Sequence, residues 1–238
     1  MSSKKIIRLP IIDSTHKLAI KLIEDAGIGE CTLIAETQTD GVGRCGRQWL
    51  SSKGNLAASI IIKLPFSRDL GQLSLAVACA LHSVLLHHIP NDLYLHWPND
   101  VYYKKSKIAG ILIAVIDSTA VISLGVNVDK APDGVDAACI KEACMGEFAA
   151  KPEEILKSVL SVLDGWLGLN FSDVRNYWLR YINEVNCNVT IRNGEDLLIG
   201  LCRGLDNTGK LILEKDGRHL LISSGDMFTN MKGHNGAQ

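Results

Sequence analysis

Three glycines and two arginines share the stretch from Cys31 to Trp49, and that combination fits chemistry on an anion. Gly41, Gly43 and Gly46 spell G-x-G-x-x-G after an apolar run, the spacing of a dinucleotide-binding turn. Such a turn must open into a helix whose N-terminus faces a pyrophosphate. Here the chain runs on through Gln48, Trp49, Leu50, Ser51, Ser52, Lys53 and Gly54, which is polar and has no 3.6-residue period. Arg44 and Arg47 would then do what the helix end does elsewhere. Each guanidinium is a planar fork of donors suited to phosphate or carboxylate, and neighbouring glycines let the backbone approach a ligand closely. On this loop alone two readings stand: a lid that closes over an anion, and a solvated loop with incidental charge.

Two more clusters carry polar groups in unusual places. In His96-Trp97-Pro98-Asn99-Asp100, proline biases Trp97 to extended geometry, and Asn99-Asp100 favours a turn whose side chains bond backbone or ligand. A hairpin turn with a buried tryptophan accounts for the same residues. Farther on, Lys104 and Lys105 read as a hairpin tip, and Lys107 opens an otherwise apolar strand with Gly110 three residues later. A lysine so placed is either an edge-strand charge or an inward-facing cation.

The elements that must position these groups follow from periodicity and punctuation. Ile6 to Ile12 is a β-rich run; Asp13, Ser14 and Thr15 then cap a periodic segment, Lys17 to Ala26, that Gly27 stops. Strands are predicted at Cys31 to Glu36, Asn55 to Lys63, Tyr94 to Trp97, Lys107 to Ile116 and Thr119 to Val128, with a long helix between Asp69 and His88. Pro152, Glu153 and Glu154 open a helix to about Leu167, and Val174 to Glu184 adds another. From Asn188 to Asn230, short β-rich runs alternate with the turn signals Asn193-Gly194, Asn207-Thr208-Gly209, Asp216-Gly217 and Ser224-Gly225, the pattern of a small antiparallel barrel. A disordered tail is expected from Lys232.

Composition narrows the function. An apolar fraction of 47% over 238 residues supplies a substantial core, and a formal net charge of -1 leaves no global field to gather nucleic acid or an anionic membrane. Anion binding must therefore be local. The opening residues carry no secretory pattern, the apolar run from Leu73 to Ile89 is broken by serine and histidine, and seven scattered cysteines suit a reducing cytoplasm. The lone pair Cys139 and Cys144 lacks the partners of a zinc site, so no protein-built metal site is expected.

Taken together, the clusters resemble the biotin protein ligases. Asp13-Ser14-Thr15 matches the family's early motif, and Gly41 to Trp49 matches its loop GRGRRGR-x-W. His96 to Asp100 matches KWPND, Lys107 to Leu112 matches K-x-x-GIL, and Leu124 to Val128 matches the end of GIGINV. The motifs stand in family order, and the final segment with Arg203-Gly204-Leu205-Asp206 is similar to the family's small C-terminal barrel. The resemblance implies an α+β fold. Residues 1–185 would form a mixed-sheet catalytic domain of the biotin/lipoate ligase type, 186–231 a Src-homology-3-type β-barrel and 232–238 a tail.

It also implies a two-step acyl transfer. Biotin and ATP give biotinyl-5'-AMP, and a lysine of a biotin carboxyl carrier protein domain of a biotin-dependent carboxylase then takes the biotin. Carried over residue by residue, Arg44 and Lys107 would be catalytic. Ser14, Thr15, His16, Gln38, Gly41, Gly43 and Gly110 would join them in holding biotin, while Arg47, Trp49, Asn99 and Asn127 would join them in holding ATP. Mg²⁺ would be carried mainly by the phosphates. Action in the cytoplasm and a possible homodimer are implied, with neither DNA nor membrane as partner, since the early motif begins at Asp13. The rivals are a lipoate ligase-like acyltransferase and a catalytically lapsed biotin-binding module.

Five positions depart from the pattern. His16 stands for asparagine, Val42 and Cys45 for loop arginines, His96 for lysine, and Ser123 for the first glycine of the later motif. Two missing loop cations predict a leakier adenylate.

Overall fold

A computed structural model describes residues 5–64, 69–145 and 151–229. β1 (Lys5–Ile12) and β2 (Cys31–Gln38) run parallel, and α1 (Thr15–Ala26) makes the crossover between them. Ser14 caps α1, its Oγ accepting from Lys17 N at 3.4 Å, and Gly27 ends it in the left-handed region at φ 55. The rest of the sheet is antiparallel. It adds β3 (Leu56–Lys63), β4 (Leu93–His96), β5 (Asp100–Tyr103), β6 (Ser106–Ile116) and β7 (Thr119–Val126), in the order β1-β2-β3-β7-β6-β5-β4.

Alternation of side chains across the pleat divides the core in two. Cys31, Leu33, Ile61 and Val121 pack with Ala19 beneath α1, whereas Ile34, Ile60, Ile62 and Ile122 join the larger core built on α2 (Leu70–Leu85). α2 is buried almost all round because α4 (Pro152–Gly168) and α5 (Phe171–Tyr181) lie against it. Trp178 of α5 is fully buried and donates its indole N–H to the carbonyl of Leu75 at 2.9 Å.

A second sheet holds five antiparallel strands: β8 (Asn188–Asn193), β9 (Asp196–Leu205), β10 (Leu211–Lys215), β11 (Arg218–Ile222) and β12 (Asp226–Thr229). Their order is β11-β10-β9-β8-β12, the small antiparallel unit that the turn signals predicted.

Three local differences from the sequence reading have physical causes. Asp100 is not in a turn; it opens β5, because the reversal is completed at Trp97–Asn99, where the Trp97–Pro98 peptide is cis. The last long helix starts at Phe171, since Asn170 takes the N-cap position, and it ends at Tyr181. A short α3 (Ile140–Ala143) was not foreseen; Glu142 accepts from the backbone N–H of Cys139 to close its first turn. The tail expected from Lys232 lies outside the described residues.

Candidate active site

A cleft of about 320 Å³ opens on the α1 face of the large sheet, between the glycine-arginine loop, the β4–β5 reversal and the start of the second sheet's last strand. Ser14, His16, Gln38, Gly43, Arg44, Arg47, Trp49, Asn99, Lys107, Gly110 and Asn127 all line it. Of the predicted site residues, Thr15 and Gly41 lie behind this lining. Thr15 is 2% exposed and donates both its backbone N–H and its hydroxyl to Gln38 Oε1, at 2.8 and 3.0 Å. The carbonyl of Gly41 accepts from Trp49 N at 2.8 Å, and a Cβ there would collide with the backbone carbonyl oxygen of Trp49. Glycine is required at Gly41 by this close approach.

Lys107 is an inward-facing cation. β6 lies between β5 and β7, so the lysine is on no edge strand. The β5–β6 register shifts between Val101 and Tyr102, which pair with Ala109 and Lys107, leaving Ile108 as an extra residue. In a regular strand Lys107 and Gly110 would point to opposite faces; this bulge turns them to the same one. Lys107 Nζ reaches Asp100 Oδ2 at 2.6 Å and stands 5.5 Å from the Trp49 ring centroid.

Trp49 lies on a floor made by two glycines that face each other across β6 and β7, Gly110 and Gly125. A Cβ on Gly125 would come within 2.6 Å of Trp49 Nε1 and Cζ2, and one on Gly110 within 3.2 Å of Cζ3. The indole occupies space that only a backbone without side chains leaves open. In the loop itself, Gly43 N donates to Arg47 O and Arg47 N to Arg44 O, which folds residues 43–47 into a single tight turn and not into a helix start.

Arg44 and Arg47 are held by the second sheet. Arg44 donates to Asn99 Oδ1 at 2.9 Å and to the carbonyl of Gly225 at 3.4 Å, while Arg47 pairs with Asp226 Oδ1 at 2.6 Å. Asn99 in turn donates to Ile111 O at 2.6 Å, which fixes its amide so that Oδ1 faces Arg44. The same segment of the second sheet is tied down by His96, whose ring bonds Glu184 Oε1 at 2.6 Å and the carbonyl of Met227 at 2.9 Å. Burial by itself would lower the His96 pKa; the hydrogen bond and charge of Glu184, together with the Met227 carbonyl and the charge of Asp100, outweigh it and raise it.

Two buried carboxyl or amide oxygens at the cleft, Asp100 Oδ1 and Asn127 Oδ1, have no hydrogen-bond partner among the described residues. They are hard oxygen donors of the kind Mg²⁺ takes. Among the described residues no group of three or more histidine, cysteine or acidic side chains is placed to hold a metal, and all seven cysteines are free.

Sequence reasoning assigned Asp100 to a turn and passed over Gly125, Gly225 and Asp226. Gly125 carried a signal, since it lies within the later glycine motif; the contacts from residues 225 and 226 had none, being 181 and 179 positions from their arginines. The segment from Pro132 to Ala137 also lines the cleft and was not foreseen.

The family model described as "Biotin/lipoate A/B protein ligase family" matches residues 9–129, which hold the loop, Asn99, Lys107 and Asn127. The chain belongs to this family. Among family members it is 32% identical to the biotin–[acetyl-CoA-carboxylase] ligase of Mycobacterium tuberculosis, over 88% of this chain and 83% of that one. It is 31% identical to the ligase of the same name from Paracoccus denitrificans, over 91% and 97%. The biotin protein ligase of Aquifex aeolicus, solved in complex with biotin and ATP, superposes with a TM-score of 0.84 at 26% identity, covering 95% of this chain and 99% of that one. No described helix is long and apolar enough to cross a membrane.

Proposed function

We propose that this chain is a biotin protein ligase, which uses ATP to activate biotin and transfers it to a lysine of a biotin carboxyl carrier protein domain. The observation that carries this reading is the convergence of Arg44 and Lys107 on one cleft floored by Gly110 and Gly125, in a chain of this family. A carboxylate oxygen of biotin attacks the α-phosphorus of ATP and the bond to the β-phosphate oxygen breaks, giving biotinyl-adenylate and pyrophosphate. The carrier lysine then attacks the acyl carbon, AMP leaves with the bonding pair, and the amine loses a proton as the amide forms. Both steps bring anions together or release one, so fixed cations at the junction stabilise charge that develops there. Lys107 and Arg44 are the catalytic residues.

Ser14, His16 and Gln38 lie at the α1 end of the cleft and take the polar head of biotin, with Gly43 and Gly110 giving close backbone approach; Thr15 and Gly41, behind this lining, hold Gln38 and Trp49 in place. Arg47, Trp49, Asn99 and Asn127 take the nucleotide. The loop excludes water from a mixed anhydride that hydrolyses when wetted. Mg²⁺, when bound with ATP, neutralises phosphate charge; Asp100 Oδ1 and Asn127 Oδ1 are the side-chain oxygens that would contribute to holding it.

Residues 1–185 serve as the catalytic domain and 186–231 as a small domain whose Gly225 and Asp226 meet the loop arginines. We place the activity in the cytoplasm, with no DNA or membrane partner. We also propose a homodimer, for which the free edge of β1, with Ile11 67% exposed, is a suitable surface. The test is transfer of radiolabelled biotin, with lipoate in a parallel reaction, to a purified carboxyl carrier domain. ATP-dependent labelling by biotin alone supports the reading. Labelling by lipoate alone assigns the chain to the family's other acyl group, and biotin binding without labelling assigns it to a lapsed module.

A further inference from the structure

Two of the positions at which the sequence departs from the family pattern meet each other. His16 Nδ1 lies 2.7 Å from Ser123 Oγ, and both residues are buried at the cleft's α1 end. The contact belongs to a chain. Ser123 Oγ is 2.8 Å from Ser59 Oγ, because these two residues are opposed in the β3–β7 register; Ser59 Oγ is 2.9 Å from Thr15 Oγ1, and Thr15 Oγ1 is 3.0 Å from Gln38 Oε1.

The direction of every proton in this chain is fixed from one end. Gln38 Oε1 accepts from the backbone N–H of Thr15 at 2.8 Å, so the atom is the amide oxygen and the Thr15 hydroxyl must donate to it. Thr15 Oγ1 has then spent its proton and accepts from Ser59. Ser59 has likewise spent its own and accepts from Ser123. Ser123, with no proton left, accepts from His16, so the imidazole carries its hydrogen on Nδ1. Burial holds the ring neutral by lowering its pKa. Nε2 is left with a lone pair and has no partner among the described residues, on a side chain that lines the cleft.

We propose that His16 is a specificity-determining residue that offers Nε2 as a hydrogen-bond acceptor to an N–H of the cyclic urea of biotin, with Ser123 and Ser59 as positioning residues that fix its tautomer. The inference rests on the reading of the cleft as the biotin site. A cyclic urea presents one acceptor and two donors. The hydroxyl proton of Ser14 and the amide protons of Gln38, whose oxygen is turned inward, meet the acceptor. The His16 lone pair meets a donor that those two side chains do not.

Nitrogen-15 spectra of the full chain, labelled at histidine, test the tautomer, and calorimetric titration with biotin tests its use. The expected spectrum of wild type shows His16 protonated on Nδ1, with Nε2 shifting when biotin binds. Ser123→Gly should free the tautomer and weaken biotin binding about tenfold, the scale of one lost hydrogen bond. The double substitution His16→Asn with Ser123→Gly, which restores the family's residues at both positions, should recover binding to within about threefold of wild type on the same scale. Wild type protonated on Nε2, or Ser123→Gly binding biotin as wild type does, overturns the proposal while leaving the ligase reading intact. Failure of wild type to bind biotin at all overturns both. Spectra of each variant confirm that it folds, and an unfolded Ser123→Gly leaves the wild-type tautomer and its shift on biotin to decide the case.

Discussion

Alanine at Gly125 should open the cleft to water without unfolding the protein. The residue lies in β7 with backbone geometry open to any L residue, so the added methyl costs nothing in the strand itself. Its Cβ would stand 2.6 Å from two atoms of the Trp49 indole, well inside van der Waals contact, and the ring is rigid, so either the ring or the strand must shift. Overpacking of this kind costs about 1–3 kcal/mol, and a loop is softer than the middle of a seven-stranded sheet, so the cost falls on the closed position of Trp49. Release of biotinyl-adenylate should then accelerate by about 5- to 150-fold. Gly110→Ala should have a smaller effect, because its Cβ meets the flexible end of Lys107 and reaches the indole only at 3.2 Å. The assay is retention of radiolabelled adenylate through rapid gel filtration, with thermal melts as a control for folding. Trp49→Ala should also release adenylate faster, and the double variant with Gly125→Ala should be no worse than Trp49→Ala alone. Wild-type retention by Gly125→Ala, or additive losses in the double variant, would refute the reasoning.

Two further outcomes follow from the same structure. Val42 lines the cleft, whereas Cys45 is exposed with φ 53, so restoring arginine at both positions should slow adenylate release about tenfold or more, mostly through Val42→Arg; off-rates of the single and double variants measure the split. Burial lowers the pKa of His82, which bonds Tyr177 and the Leu93 carbonyl, from 6.5 to about 4. Its folded value is the depressed one, so its contribution to stability is complete above pH 6.5 and is lost as pH falls toward 4, about 3 kcal/mol in all; urea melts across that range should show a shallower slope for His82→Gln than for wild type.

What was legible in the chain divides by the range of the interactions that fix it. The caps of α1 at Ser14 and Gly27 were readable because a cap is satisfied within four residues. Six of the seven strands of the large sheet were readable from alternation and β-branched runs, β5 (Asp100–Tyr103) being the one missed, and Arg44 and Lys107 were readable from their motifs. The orientation of Lys107 was not, since it depends on a bulge at Ile108 that only pairing with β5 creates. Asp226 was invisible for the same reason at longer range: its partner Arg47 lies in the other sheet's loop. The chain of hydroxyls from Ser123 to Thr15 depends on the register of β3 against β7, and no local pattern encodes which serine faces which.

The measurement closest to the central claim follows oxygen. Wild-type protein would be given ATP, a carboxyl carrier domain and biotin labelled with oxygen-18 in both carboxylate positions, and the AMP released would be weighed by mass spectrometry. Attack by the biotin carboxylate on the α-phosphate predicts one heavy oxygen in AMP and one in the amide on the carrier lysine. Biotinylated carrier accompanied by unlabelled AMP would contradict the account.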